Sequence, residues 1–398
     1  MRLDRNERNL IVIQALDYFA SSLAGIFVTV FLFINSDLKT TILFSIISFC
    51  SLLFFFVLSG WTLKHIASGT LIKLTLLGSA VFYFLLFLLQ ERSIVYLVPL
   101  AVFNGCLGGN YWAAFNLNEY IYTSKDKRVK YFGSAIALLN SLQAIGPLIG
   151  GAIITFTGAR VFLELPLGYS LLFLFVSLVL GFSALLIGKL PQHEMISFKF
   201  SHFITHKRSL EWKYVLSANA VLGFFDVALG TVSGVLIYLI VKQEVWLGAT
   251  QTAAFLLGAF GGVLAIPLLH RNSQYYWVGA LGLSVGIGLF AVYQNMFGLI
   301  VYTIITGITA PFLHTWLSTV YFHAMDAVDG DWKEKYHLLI ERDFALGAAR
   351  ILSYIGLYLF ILFGDQVSVA KSWLLFLPIF PFILGLLLYF YEKSSRLY

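Results

Sequence analysis

Twelve apolar runs, each about the length that crosses a hydrocarbon core, divide the chain: 10–34, 40–59, 66–89, 94–119, 131–156, 161–188, 213–241, 247–269, 275–295, 298–323, 342–364 and 368–391. The joints between them are short. Two exceptions are polar: 190–211, with Lys199, His202, His206, Lys207, Arg208 and Glu211, and 324–341, which opens with Asp326, Asp329 and Asp331. The pattern predicts an all-α integral membrane protein. Residues 1–189 are expected to form an N-terminal bundle of six helices, 190–211 a central loop, and 212–398 a C-terminal bundle of six.

Charge orients these spans. Of 26 Lys and Arg, all but Lys39, Arg92, Arg160, Lys242 and Lys371 fall on one side when the loops are counted alternately. That asymmetry is the positive-inside signature. It predicts a multi-pass protein of the plasma membrane with both termini in the cytoplasm, which an even number of spans requires. Arg2, Arg5 and Arg8 before the first apolar run faintly resemble a signal peptide, but the run continues to Ile34 without a small-residue cleavage site and is read as a span.

Composition agrees. Charged residues are 12% of the chain, against roughly 25% in soluble globular proteins. The net charge of +6 does not point to nucleic acid, because no basic block is long enough to track phosphates. Cys50 and Cys106 lie inside apolar runs, so they read as packing residues and not as a disulfide framework.

The halves look related. A shift of 206 residues lays the first span on the seventh, with Leu16, Asp17, Tyr18 and Phe19 on Leu222, Gly223, Phe224 and Phe225. The same shift puts Lys64 and His65 on His270 and Arg271. Parallel six-span halves related by an axis along the membrane normal are a transporter architecture.

One local motif is more specific. The fifth span reads Gly133, Leu142, Gly146, Pro147, Gly150 and Gly151 at the spacing of an antiporter element, with Leu142 where a Gly is usual. Between the second and third spans, Gly60 and the basic pair Lys64 and His65 match a second element, which here lacks its Asp. On these features and its span order, the chain resembles the major facilitator superfamily along essentially its whole length. The resemblance implies two six-helix bundles, a cavity lined by spans one, four, seven and ten, and transport by alternating access. It also ties a bent fifth span to export.

Ionisable groups inside a membrane are costly, so each is a functional candidate. Asp226 lies near the middle of the seventh span among Phe224, Phe225, Val227 and Leu229. An apolar setting favours the protonated carboxyl, so Asp226 is expected to carry a coupling proton. Asp17, one helical turn away in the repeat register, is expected to line the same path or to cap a network with Arg5 or Arg8. Arg350 in the eleventh span requires a partner or an anionic substrate, because guanidinium does not deprotonate; Asp343 is the carboxylate expected to pair with it. Glu119 is expected to latch onto Lys125, Arg128 or Arg342. Asn110, Trp112, Asn140, Gln143 and His314 complete the expected path, and Gly146, Pro147, Gly150 and Gly151 the expected bend.

No metal site is expected: the sequence is read as lacking a helix with two His at four-residue spacing. Nor does it show a serine nucleophile elbow or a phosphate loop, so no cofactor is expected and the chain is not read as an enzyme. The expected partners are a small-molecule substrate, protons and membrane lipid. The function expected is secondary active transport of a small organic solute, proton-coupled and leaning to efflux by antiport. The alternatives are an uptake symporter, a lipid-acting enzyme built on His323, Asp326 and His337, and a non-transporting sensor.

Overall fold

The computed structural model describes residues 4–123, 125–158, 167–186, 195–197 and 199–395. Arg2, Arg160, Lys189 and Arg396, both edges of the expected sixth span and part of the expected central loop lie outside the described residues. The helices are α1 (Arg5–Asn35), α2 (Leu38–Thr62), α3 (Ser68–Leu89), α4 (Leu97–Tyr122), α5 (Arg128–Gln143), α6 (Ile145–Gly158), α7 (Leu167–Leu186), α8 (Phe200–Thr205), α9 (Leu210–Val241) and α10 (Glu244–Arg271). They continue with α11 (Tyr276–Tyr293), α12 (Met296–Asp326), α13 (Tyr336–Leu362), α14 (Gln366–Phe376) and α15 (Ile379–Ser395). Taking α5 with α6 and α14 with α15, these make twelve crossings in two six-helix bundles; α8 is a short helix in the connection between them.

Eleven crossings are long and apolar enough to span a membrane by length and composition. The fourth, α4, is not among them, because Asn104, Asn110, Asn116 and Asn118 dilute it. Large apolar side chains face outward all round, as at Phe156 (73% exposed) and Phe363 (89%), which suits lipid and not water. Cys50 is also exposed, and so is not the packing residue expected; both cysteines are free.

Side-chain caps set the turns. Asp37 accepts from the Thr40 N–H at 2.7 Å, Asn295 from Gly298 at 3.0 Å and Asp365 from Ser368 at 2.8 Å, each satisfying an orphan donor in a first helical turn. Proline sets the breaks. Pro147 has no N–H to give the Gln143 carbonyl, and α5 ends at Gln143. Ala144 keeps right-handed helical angles (φ −59°, ψ −28°), so the fifth span bends without reversing. The twelfth span is interrupted between α14 and α15, just before Pro381, whose ring removes the donor for Leu377.

The halves meet along α5 and α6 against α10, through small residues. A Cβ on Gly133 would strike Ile266, one on Gly262 would press on Ala137, and one on Gly258 would meet the Asn140 amide. Further along, Gly248 lies on the Pro147 carbonyl and Gly151 on the Glu244 carbonyl. Backbones approach this closely only where side chains are small. Gly146 and Gly150 face α1 instead, against Ser22, Leu23 and Phe27. The fifth-span motif therefore wedges α6 between a neighbour in its own half and one in the other.

Candidate functional site

Two cavities lie between the halves. The first, about 580 Å³, is nearer the face that carries the chain termini; Tyr18, Trp112, Glu119, Asn140, Gln143, His314 and Arg342 line it. The second, about 690 Å³, is nearer the far face, with Asp17, Ser48, Trp112, Asp226, Thr231 and Gln251 in its walls. Trp112 and Tyr302 belong to both and stand between them. The Trp112 ring makes edge contacts with Tyr18, Tyr111 and Phe115, at centroid distances of 6.2, 5.4 and 6.0 Å. Each volume falls in the range of small-molecule sites.

The structure brings most of the expected path residues to these walls. Asn110 departs. Its side-chain oxygen accepts from Ser59 Oγ at 3.0 Å and its Nδ2 donates to the Cys106 carbonyl at 2.9 Å. Asn118 likewise accepts from Ser68 Oγ at 3.0 Å. The polar stripe of α4 thus splits: Asn110 and Asn118 tie α4 to α2 and to the start of α3, while Trp112 and Asn116 face the first cavity.

Arg350 also departs from expectation. Its Nη2 donates to Asp226 Oδ2 at 2.6 Å and its Nε to Oδ1 at 3.4 Å, a two-point ion pair between α13 and α9. Asp343 is instead 3.2 Å from the Arg342 Nε and accepts from Asn116 at 3.4 Å. Arg350 also lies over the Phe49 ring, 5.5 Å from its centroid. Tyr354, one turn on, donates to the Val227 carbonyl at 2.9 Å. Asp226 is therefore held by a cation within its own half. Asp17 is not: its neighbour is the Tyr111 hydroxyl, and no cation pairs with it among the described residues. The expected caps Arg5 and Arg8 do not reach it.

Polar contacts bridge the halves at both ends. On the terminus-bearing face, Arg128 Nη1 donates to Asp326 Oδ2 at 2.5 Å and the Tyr120 hydroxyl to Oδ1 at 3.1 Å, with Lys125 at 3.9 Å. Arg128 is 3% exposed, and its guanidinium lies 5.2 Å from the Phe322 ring centroid. Glu119, expected to meet Lys125, Arg128 or Arg342, sits beside the Tyr131 hydroxyl in the field of Arg342, the third of these. Asp326 lies 198 residues from Arg128, and no local sequence signal pairs the two. His323 is exposed, and His337 lies with His206 and Glu341, so the trio needed for a lipid-acting centre is not assembled.

At the far face, Gln366 donates to Asp37 at 3.2 Å and accepts from the Lys39 N–H at 3.2 Å. Burial acts to raise the Asp37 carboxyl, but the bonds from Thr40 and Gln366 and the Lys39 charge outweigh it and bring the group below its ordinary range. Tyr169 donates to Glu244 at 3.3 Å, and Ile26 packs on Gly234.

One absence expected from the sequence needs correcting. His202 and His206 are four residues apart, and α8 with its C-terminal cap places them on one face. The stretch was read as a linker and its helical spacing overlooked.

Comparison with solved structures places this architecture. The chain superposes on the human organic anion transporter MFSD10 (TETRAN) with a TM-score of 0.65 at 14% identity, covering 96% of this chain and 100% of that one. It superposes on a bacterial homologue of the iron transporter ferroportin, outward-facing, at 0.67 and 12%, covering 98% and 100%. For the E. coli fucose:proton symporter FucP the values are 0.65 and 14%, covering 95% and 97%. The chain is a multi-pass membrane protein with the fold of the major facilitator superfamily. In sequence it is 23% identical over 349 residues to the uncharacterized protein YqgE of Bacillus subtilis (strain 168), covering 86% of this chain and 78% of that one. No protein-family model matches it.

Proposed function

We propose that the chain is a secondary active transporter that moves a small organic solute by alternating access. It is coupled to protons, runs as an efflux antiporter, and sits in the plasma membrane with both termini in the cytoplasm. One observation carries the reading: two chambers lie between related halves, and the contacts closing each end are polar and join one half to the other. Such contacts can separate in water while the central site stays in place. The aromatic partition of Tyr18, Trp112 and Tyr302 suits an amphipathic solute.

Asp17 is the better proton carrier. It is half-buried on the wall of the second cavity with no cation partner among the described residues, whereas Asp226 is committed to Arg350. We assign the Asp226–Arg350 pair to holding α9 against α13 and to facing polar parts of the solute. Efflux rests on the bend at Ala144 and on the packing of Gly146, Pro147, Gly150 and Gly151.

The test begins with purified protein and a library of small solutes, ranked by the rise in melting temperature, since binding to the folded state stabilises it. Solutes that raise Tm are then added to proteoliposomes with an acid lumen and a trapped pH dye. Solute entry should drive protons out. Asp17→Asn should keep the Tm shift and lose the proton movement. No flux for any stabilising solute would remove the transporter reading; protons entering with solute would reverse antiport to symport.

A further inference from the structure

Outside both cavities, on the terminus-bearing face, His206, His337 and Glu341 bring one ring nitrogen each and one carboxylate oxygen within 4.8 Å of one another. We propose that these three side chains bind a divalent transition-metal ion, with His202 or water in the fourth position, and that the ion fastens the connection between the halves to α13. The inference stands apart from the transport reading.

The donor set has the chemistry. Two imidazoles and a carboxylate suit zinc and its first-row neighbours better than calcium or magnesium. It is also preoriented. His337 Nδ1 lies 2.8 Å from the Glu334 carbonyl. A carbonyl only accepts, so Nδ1 carries the proton and Nε2 keeps its lone pair free. A metal-binding His is held in this way by its outer hydrogen bond. Glu341, whose side chain is 1% exposed, is fixed on its other oxygen: Arg208 Nε and the Trp212 indole N–H both donate to Oε2 at 2.8 Å. Oε1 is left facing His206 Nδ1 at 2.9 Å.

In that last contact a proton sits between imidazole and carboxylate. A metal ion takes its place: Nδ1 and Oε1 each gain a bond to the metal, and the displaced proton moves to Nε2 of a neutral ring or leaves to solvent from a doubly protonated one. Two ligand atoms on a tetrahedral ion with bonds of about 2.0–2.1 Å are about 3.3 Å apart, so this edge opens by only a few tenths of an ångström. The more distant edges close by a small shift of α8 and its cap, which already set His206 edge-on to His337 with ring centroids 5.0 Å apart and bring His202 to 5.9 Å. Glu341 immediately precedes Arg342 and Asp343, which face Glu119 and Asn116 of the other half. A bound ion would therefore stiffen the start of α13 where it meets α4.

The test uses the full chain in detergent, stripped with chelator and titrated with Zn2+ by calorimetry. Co2+ absorption serves as an independent report of nitrogen–oxygen coordination. The wild type should bind one ion per chain and gain in Tm. His206→Ala and His337→Ala should each weaken binding by about tenfold or more, and the double variant should lose the ion. Glu341→Gln keeps an acceptor for Trp212, and so the local fold, and should also weaken binding. A wild type that retains no ion, or a double variant with unchanged stoichiometry and affinity, would overturn the site.

Discussion

Removing the latch on the terminus-bearing face should shift the balance between closed and open forms by a calculable amount. In Asp326→Ala the Arg128 guanidinium, 3% exposed, loses its acceptor Oδ2, and the Tyr120 hydroxyl loses Oδ1, while the Phe322 ring still covers the guanidinium. Taking one partner from a buried ion pair costs about 3–5 kcal/mol, mostly as the burden of the stranded charge. That burden falls on the closed form, because in the open form water reaches Arg128. At about 1.4 kcal/mol per tenfold, the open fraction should rise by about two to three and a half orders of magnitude. The assay places a single cysteine at Ser318 in the first cavity, on a background where Cys50 and Cys106 are Ala, and measures labelling by an impermeant maleimide added at the terminus-bearing face. Labelling should accelerate roughly a hundredfold or more, up to saturation. The double variant Arg128→Leu, Asp326→Leu strands no charge and should fall back toward the wild-type rate. An unchanged rate in Asp326→Ala, or a double variant faster than either single, would refute the reasoning.

Further outcomes follow from the same geometry. Asp226→Asn should lower thermal stability by a few kcal/mol, because it strands Arg350, and Arg350→Leu added to it should restore most of the loss, as read from melting curves of the two proteins. Gly146→Leu should destabilise by about 1–3 kcal/mol or misplace α6, since its side chain would run into Ser22 and Leu23 of α1; chemical denaturation of purified protein checks the size. For topology, cysteines at Thr205 and Lys333 should resist an impermeant thiol reagent added to intact cells, while one at Lys242 should react. Labelling at position 205 from outside would contradict a cytoplasmic connection between the halves.

Element by element, the chain disclosed what depends on local chemistry. Twelve apolar runs gave twelve crossings, and Pro147 announced the interruption at Ala144. Contacts between distant elements were out of reach. Arg350 and Asp226 are 124 residues apart, and helical spacing pointed Arg350 to Asp343 on its own helix, because periodicity reports only neighbours on one element. Arg128 was one of three cations expected to meet the nearby Glu119, and its pairing with Asp326 of the other half was out of reach for the same reason. The His202 and His206 spacing was legible, but a six-residue helix in a polar connection gives too little periodic signal to stand out.

The line of small residues shared by α5, α6 and α10 has a mechanical consequence. It runs from Gly133 and Ile266 near the terminus-bearing face to Gly151 and Glu244 near the far one, and at Gly262, Gly248 and Gly151 the halves touch through backbone, as two levers on a common fulcrum. An added methyl anywhere on that line is a wedge, and its effect depends on its lever arm. Placed at Gly262, it pries open the terminus-bearing end and presses the far end shut; placed at Gly248, it does the opposite. The same chemical change, moved about 20 Å along one helix, drives the molecule toward opposite faces of the membrane.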